Sequence, residues 1–186
     1  MIVIIGESGS GKSTVQKELQ KMGILKVITC TTRPSRSGEV SGVDYHFLSK
    51  EEFDKKIESN EFSEHASYNG WNYGTPKDSC GTSDTCTVLT PSGLRAIRRS
   101  GIPCVSFYLK VDRRSRLVMM LKRGDDIDEA YRRNLSDLGQ FDEVDKEVDY
   151  TIDNAEYAMS AKEIATRIFG IYKNKEHRSK EDLGKK

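Results

Sequence analysis

The feature that most constrains this chain is the octapeptide Gly6-Glu7-Ser8-Gly9-Ser10-Gly11-Lys12-Ser13, a GxxxxGK[ST] pattern set between an apolar run and a helical stripe. The run before it, Ile2-Val3-Ile4-Ile5, is β-branched and ends at Gly6, which predicts a strand buried on both faces as in a parallel sheet. After it, Val15, Leu19 and Met22 recur at i, i+4 and i+7 before Gly23, which predicts a helix over residues 12–22. In that setting glycines at 6, 9 and 11 allow positive φ, so that consecutive N–H groups turn inward around phosphate oxygens while the helix adds its positive end. Gly6, Ser8, Gly9, Ser10, Gly11, Lys12, Ser13 and Thr14 are therefore the candidate triphosphate ligands. Lys12 is placed to reach the β- and γ-phosphates, Ser13 to ligate Mg2+, and Thr14 to assist at the α-phosphate.

Further apolar segments alternate with helical ones, which implies an α/β protein with a parallel core sheet. Leu25 to Cys30 reads as a second strand, and Cys86 to Leu89 and Cys104 to Leu109 as core strands, each followed by helical spacing. Ser49 with Glu52 forms a capping box for a short helix that buries Phe53 and Ile57. Glu61 to Tyr73 suggests a small antiparallel piece separate from the main sheet. Residues 122–139 set charges around Ile127, Tyr131, Leu135 and Leu138, the pattern of a helical flap with a thin hydrophobic face. Tyr150 to Ile152 gives a last strand, and Ala161, Ile164, Ala165, Ile168 and Ile171 a last helix; residues 173–186 read as a charged, disordered tail.

Lys and Arg total 30 against 29 Asp and Glu, a net charge of +1, which removes the diffuse attraction of a general nucleic-acid binder. No apolar run reaches the ~20 residues of a membrane span, and no cleavable leader is evident, so a cytoplasmic protein is expected. The four cysteines are scattered without a CxxC pair, which argues against zinc or a disulfide framework.

A second anion site is suggested by Thr31-Thr32-Arg33-Pro34-Ser35-Arg36-Ser37-Gly38-Glu39, where two guanidiniums three residues apart can clamp one phosphate from two sides. Asp44-Tyr45-His46-Phe47 and Tyr73-Gly74-Thr75 add phenol and hydroxyl donors. The phosphate loop, TTRPSRSGEVSGVDYHF, the following EEF helix, EFSEHASYNGWNYGT and VDYTIDN, in this order, resemble guanylate kinase over nearly the whole chain to about residue 172.

The resemblance implies a P-loop fold in one domain over residues 1–172. It has a core of residues 1–30, 80–121 and 140–172, an inserted mixed α+β monophosphate-binding subdomain of 31–79, and a helical lid of 122–139. It implies in-line transfer of the ATP γ-phosphate to GMP or dGMP with Mg2+, by a monomer or homodimer acting on small molecules. Arg33, Arg36, Tyr45 and Tyr73 then hold the acceptor phosphate, with Thr29, Glu64, Thr75 and Thr90 near the base. A carboxylate at Glu64 can accept from both N1–H and N2–H of guanine, a donor pair adenine does not present. Lys12, Arg36, Arg123 and, on the next helix, Arg132 or Arg133, of which Arg133 is preferred, are the catalytic candidates. The sequence departs from the family where an Asp-x-Asp strand end is replaced by Val88-Leu89-Thr90, and where Met119 stands in place of an arginine. Two alternatives follow: a deoxynucleoside monophosphate kinase of other base specificity, and a non-catalytic phosphopeptide-binding module.

Overall fold

The structure is a computed structural model that describes residues 1–36, 38–68, 70–80 and 84–183, with side chains described to residue 175. In chain order the first half comprises β1 (Ile2–Ile5), α1 (Lys12–Lys21), β2 (Leu25–Lys26), β3 (Cys30–Thr31), β4 (His46–Phe47), α2 (Lys50–Glu58), β5 (Phe62–Tyr68) and β6 (Trp71–Pro76). The second half comprises β7 (Thr85–Val88), α3 (Pro91–Arg99), β8 (Val105–Lys110), α4 (Arg113–Lys122), α5 (Ile127–Ser136), α6 (Val144–Glu147), β9 (Tyr150–Asp153) and α7 (Ala161–Leu183).

Five strands form a parallel sheet in the order β2-β7-β1-β8-β9, with β1 at the centre. All four β1 residues are buried because both faces of the sheet are covered. Ile2 and Ile4 pack with Val15 and Leu19 of α1 and with Ile164, Ala165 and Ile168 of α7. Val3 and Ile5 point the other way, against Leu94 and Ile97 of α3, Phe141 and Val144. Period-two alternation with both faces apolar is why the run carries no polar residue, and each such side chain stabilises the fold by about 1.5–3 kcal/mol.

The second sheet has the order β4-β3-β6-β5 and is built round the antiparallel β5–β6 hairpin. Cys30, Phe53 and Phe62 form its own small core, with Leu48 and Ile57 packed against it. The Ser49–Glu52 capping box is formed in both directions, which fixes the start of α2 and turns Phe53 inward.

Three sequence expectations are corrected. Residues 25–30 do not make one strand: β2 joins the core sheet and β3 the second sheet, and the chain crosses between them. The segment has apolar residues towards both ends because Val27 is buried against the core sheet and Cys30 within the second core. On α5 the apolar stripe faces outward, with Ile127 70% and Tyr131 56% exposed, while Ala130, Arg133, Asn134 and Asp137 face inward. Finally, α7 does not stop near residue 172 but runs on to Leu183; residues 184–186 lie outside the described residues. Tyr172 is buried, and Lys173 and Lys175 pair with Asp84 and Asp149, which ties down the turn where the tail was expected to begin.

Candidate active site

The cleft between the two sheets is lined by Gly6, Ser8, Gly9, Gly11, Lys12, Ser13 and Thr14 on one side and by Thr29, Arg33, Arg36, Tyr45, Glu64 and Tyr73 on the other. Thr90, Arg123 and Arg133 complete the wall. Ser10 and Thr75 are buried just behind it.

The phosphate loop follows from its glycines, though not all for one reason. Gly9 and Gly11 have φ of 84° and 87°, the left-handed region that glycine enters without strain. Gly6 does not: a Cβ there would lie 2.5 Å from Ser10 Oγ and 2.9 Å from the Leu109 carbonyl oxygen, so its requirement is space and not positive φ. Lys12 Nζ donates to the carbonyls of Gly6 at 2.7 Å and Glu7 at 2.8 Å. Burial lowers its pKa to about 8, against the pull of the Asp137 and Glu7 carboxylates. Ser13 and Thr14 are exposed at the amino end of α1.

On the opposite wall Arg33 is buried, its Nη2 donates to both Glu39 carboxylate oxygens at 2.8 and 2.9 Å, and its guanidinium lies 5.4 Å from the Tyr45 ring centroid. Arg36 is exposed, and its pKa is lowered by lost hydration and by the Arg33 and Arg133 guanidiniums. Tyr45 and Tyr73 meet edge to face at 6.3 Å. Burial raises the Tyr45 pKa, so its phenol stays a hydrogen-bond donor at neutral pH. Deeper in, Glu64 is 5% exposed and accepts from Thr75 Oγ1 at 2.5 Å. Burial pushes its pKa up to about 6. Thr90 caps α3: its Oγ1 accepts from the Gly93 amide at 3.1 Å and lies 2.9 Å from Ser92 Oγ.

From α4 and α5 come the guanidiniums between these walls. Arg123 forms a fork on Asp125 at 2.7 and 2.5 Å, and Arg133 reaches the same carboxylate. Arg133 is buried and lines the cleft; its Nε lies 3.3 Å from Glu129 Oε1, an ion pair without hydrogen-bond geometry. Arg132 is exposed and pairs with Glu129 at 2.8 Å. Behind the phosphate loop Arg116, 5% exposed, contacts Glu7 at 3.3 Å and Asp137 at 3.4 Å. Sequence reasoning missed Tyr68, Arg116, Asp125 and Asp137: the three charges lie in charge-rich segments with no pattern that distinguishes them from surface residues, and Tyr68 is one of several aromatics in its hairpin.

A glycine-rich cradle at the end of a central parallel strand, a second sheet that brings arginine and tyrosine to the same cleft and an arginine-bearing helix beside both define a P-loop nucleotide-binding protein. Comparison with known proteins narrows this. The guanylate kinase family model matches residues 1–169. The guanylate kinase of Symbiobacterium thermophilum is 34% identical over 172 residues, covering 88% of this chain and 82% of that protein. That of Onion yellows phytoplasma is 32% identical over 174 residues, with the same coverage. The crystal structure of guanylate kinase from Anaplasma phagocytophilum shares the fold, with a TM-score of 0.67 at 24% identity over 94% of this chain and 85% of that one. The chain belongs to the guanylate kinase family.

Proposed function

We propose that the protein transfers the γ-phosphoryl group of ATP to GMP or dGMP by direct in-line displacement. The observation that carries this reading is the meeting, in one cleft, of the phosphate loop with Arg33, Arg36, Tyr45 and Tyr73 opposite it. An acceptor phosphate is already an anion, so no general base is required, and catalysis reduces to alignment and charge neutralisation. Loop amides and Lys12 hold the triphosphate, with Gly6, Ser8, Gly9, Ser10, Gly11, Ser13 and Thr14 shaping the cradle. Arg33, Arg36, Tyr45 and Tyr73 hold the acceptor phosphate. Arg123 and Arg133 stabilise the phosphoryl group in flight, and Arg133 Nε, paired with Glu129 at 3.3 Å but making no hydrogen bond, is the donor it can turn to that group. Thr29, Glu64, Thr75 and Thr90 line the base site, where Glu64 accepts from N1–H and N2–H of guanine.

The donor set also fits Mg2+. Ser13 offers an exposed hydroxyl beside the phosphate cradle, and Val88 and Thr90 bring no carboxylate to the end of β7. A hard cation that retains waters and takes most of its oxygens from phosphates suits such a site, with Ser13 as the protein ligand. The ion would neutralise charge on the β- and γ-phosphates.

In this reading β3 to β6 form the monophosphate-binding subdomain of residues 31–79 and residues 122–139 the lid over a single domain. We place the enzyme in the cytoplasm as a monomer or homodimer acting on small molecules and not on nucleic acid. Its near-zero net charge supports small-molecule substrates over nucleic acid, and no helix among the described residues is long and apolar enough to cross a membrane. A panel of GMP, dGMP, IMP, AMP, dCMP and dTMP under identical ATP and magnesium, compared as kcat/KM, tests the assignment. GMP and dGMP should lead; a pyrimidine acceptor in first place would overturn the base assignment, and no turnover at all would overturn the enzyme.

A further inference from the structure

One buried carboxylate beside the phosphate loop touches the loop, β5 and α4 together. Asp137 follows the last turn of α5, one helical turn beyond Arg133, and is 4% exposed. Its Oδ2 accepts from the Ser8 amide at 2.8 Å and lies 3.4 Å from Arg116 Nη1, while its Oδ1 accepts from the Tyr68 hydroxyl and lies 3.5 Å from Ser8 Oγ. Arg116 in turn donates to the Ser8 carbonyl at 3.3 Å, so that Asp137 and Arg116 together hold both backbone polar groups of this residue of the phosphate loop. Tyr68 ends β5, the strand that carries Glu64, and β5 pairs along its length with the strand that carries Tyr73.

We propose that Asp137 is a positioning residue that couples the two substrate sites, joined to the acceptor side by the Tyr68 hydroxyl and to the donor side by the Ser8 amide. The inference rests on the phosphoryl-transfer reading, which makes the phosphate loop the donor site and the β5–β6 hairpin the acceptor site. A buried carboxylate is tolerated only while its charge and lone pairs are matched. If the hairpin swings away from α5, Oδ1 loses the phenol, and the carboxylate that fixes Ser8 is no longer fully satisfied. If the acceptor draws β5 inward, the phenol returns and the loop is held ready for the triphosphate. The physical warrant is one shared hydrogen-bonded group, and linkage requires the effect to be reciprocal.

Calorimetric titration of the full chain with a non-hydrolysable ATP analogue, in zero and in saturating GMP, tests this. The parent should bind the analogue about fivefold or more tightly with GMP present, and the GMP titration should show the same ratio in reverse. In Tyr68→Phe, which removes one hydroxyl from a half-buried ring and should fold, the ratio should fall to about one. Asp137→Asn should also lose the ratio, because the amide presents a single acceptor atom and leaves Arg116 without its charge partner. A purely structural role would weaken both binding constants by the same factor and leave the ratio intact. A Tyr68→Phe ratio equal to the parent's, or a parent ratio of one, overturns the proposal. If the panel above selects another monophosphate, the guanine assignment fails, and the same titrations with that acceptor decide the role of Asp137.

Discussion

The buried Glu64 carboxylate, which we propose to read the acceptor's base, opposes folding, and the size of that opposition can be worked out. Burial raises its pKa from the ordinary 4.5 to about 6, even though the Thr75 hydroxyl and amide pull it down. The folded protein therefore binds this proton more tightly than the unfolded chain does. Stability from this group is fully present below 4.5, declines as pH rises towards 6, and is at its lower plateau above that. At roughly 1.36 kcal/mol per decade of affinity, the ionised side chain costs about 2 kcal/mol at pH 7.5. Glu64→Gln keeps an oxygen for Thr75 Oγ1 and nearly the same shape but cannot ionise. Urea unfolding at pH 4.5, 5.5, 6.5 and 7.5 should show the variant matching the parent at the acid end and exceeding it by about 2 kcal/mol at the other, or ~4–8 °C in Tm. Other groups titrate in both proteins and cancel in the difference. Over the same range the parent's KM for GMP should rise as pH falls below 6, and the variant, which sets an N–H against the N–H groups of guanine, should lose about 10²–10⁴ in kcat/KM. A stability gap that is flat across pH, or a glutamine variant weaker than the parent at pH 7.5, would refute the reasoning.

Three more outcomes are expected. Lys12→Ala should lower kcat by about 10²–10³ or more while circular dichroism stays at the parent's, because the cradle proposed for the triphosphate loses its lysine charge. Gly6→Ala should destabilise by about 1–3 kcal/mol in thermal melts and weaken ATP-analogue binding in calorimetry, since the added methyl meets a backbone carbonyl that cannot move aside. Thr90→Asp keeps a cap on the Gly93 amide and places a second carboxylate near the base site, so the ratio of kcat/KM for GMP over IMP should rise about tenfold; an unchanged ratio would show that position 90 does not face the 2-amino group.

What could be read from the sequence was what neighbours along the chain decide. The strand, loop and helix from Ile2 to Lys21 are one continuous unit whose glycines, apolar stripe and helix start lie within a few residues of each other. The same holds for the Ser49–Glu52 cap and for the hairpin that carries Glu64 and Thr75. The break between β2 and β3 was hidden because each end of the run finds an apolar core of its own, and composition does not say that the cores are different.

The inverted face of α5 shows where such reading stops and why. An amphipathic pattern locates a helix's inner face on the premise that the interior is apolar. Beside a phosphoryl-transfer cleft the interior is ionic: Arg133 lies against Asp125, and Asp137 against Arg116 and Ser8, each at 6% exposure or less on the α5 side. The partners of Asp137 lie 21 and 129 residues away in the chain, so no local window contains the reason for its burial. Turning the stripe of Ile127 and Tyr131 inward would withdraw Arg133 from the cleft and leave the Ser8 amide and the Arg116 guanidinium without their carboxylate, at about 3–5 kcal/mol for a broken buried pair alone. Burying the two apolar side chains would return about 1.5–3 kcal/mol each, so the polar face holds its place only with the Ser8 and Tyr68 hydrogen bonds added to the ion pair.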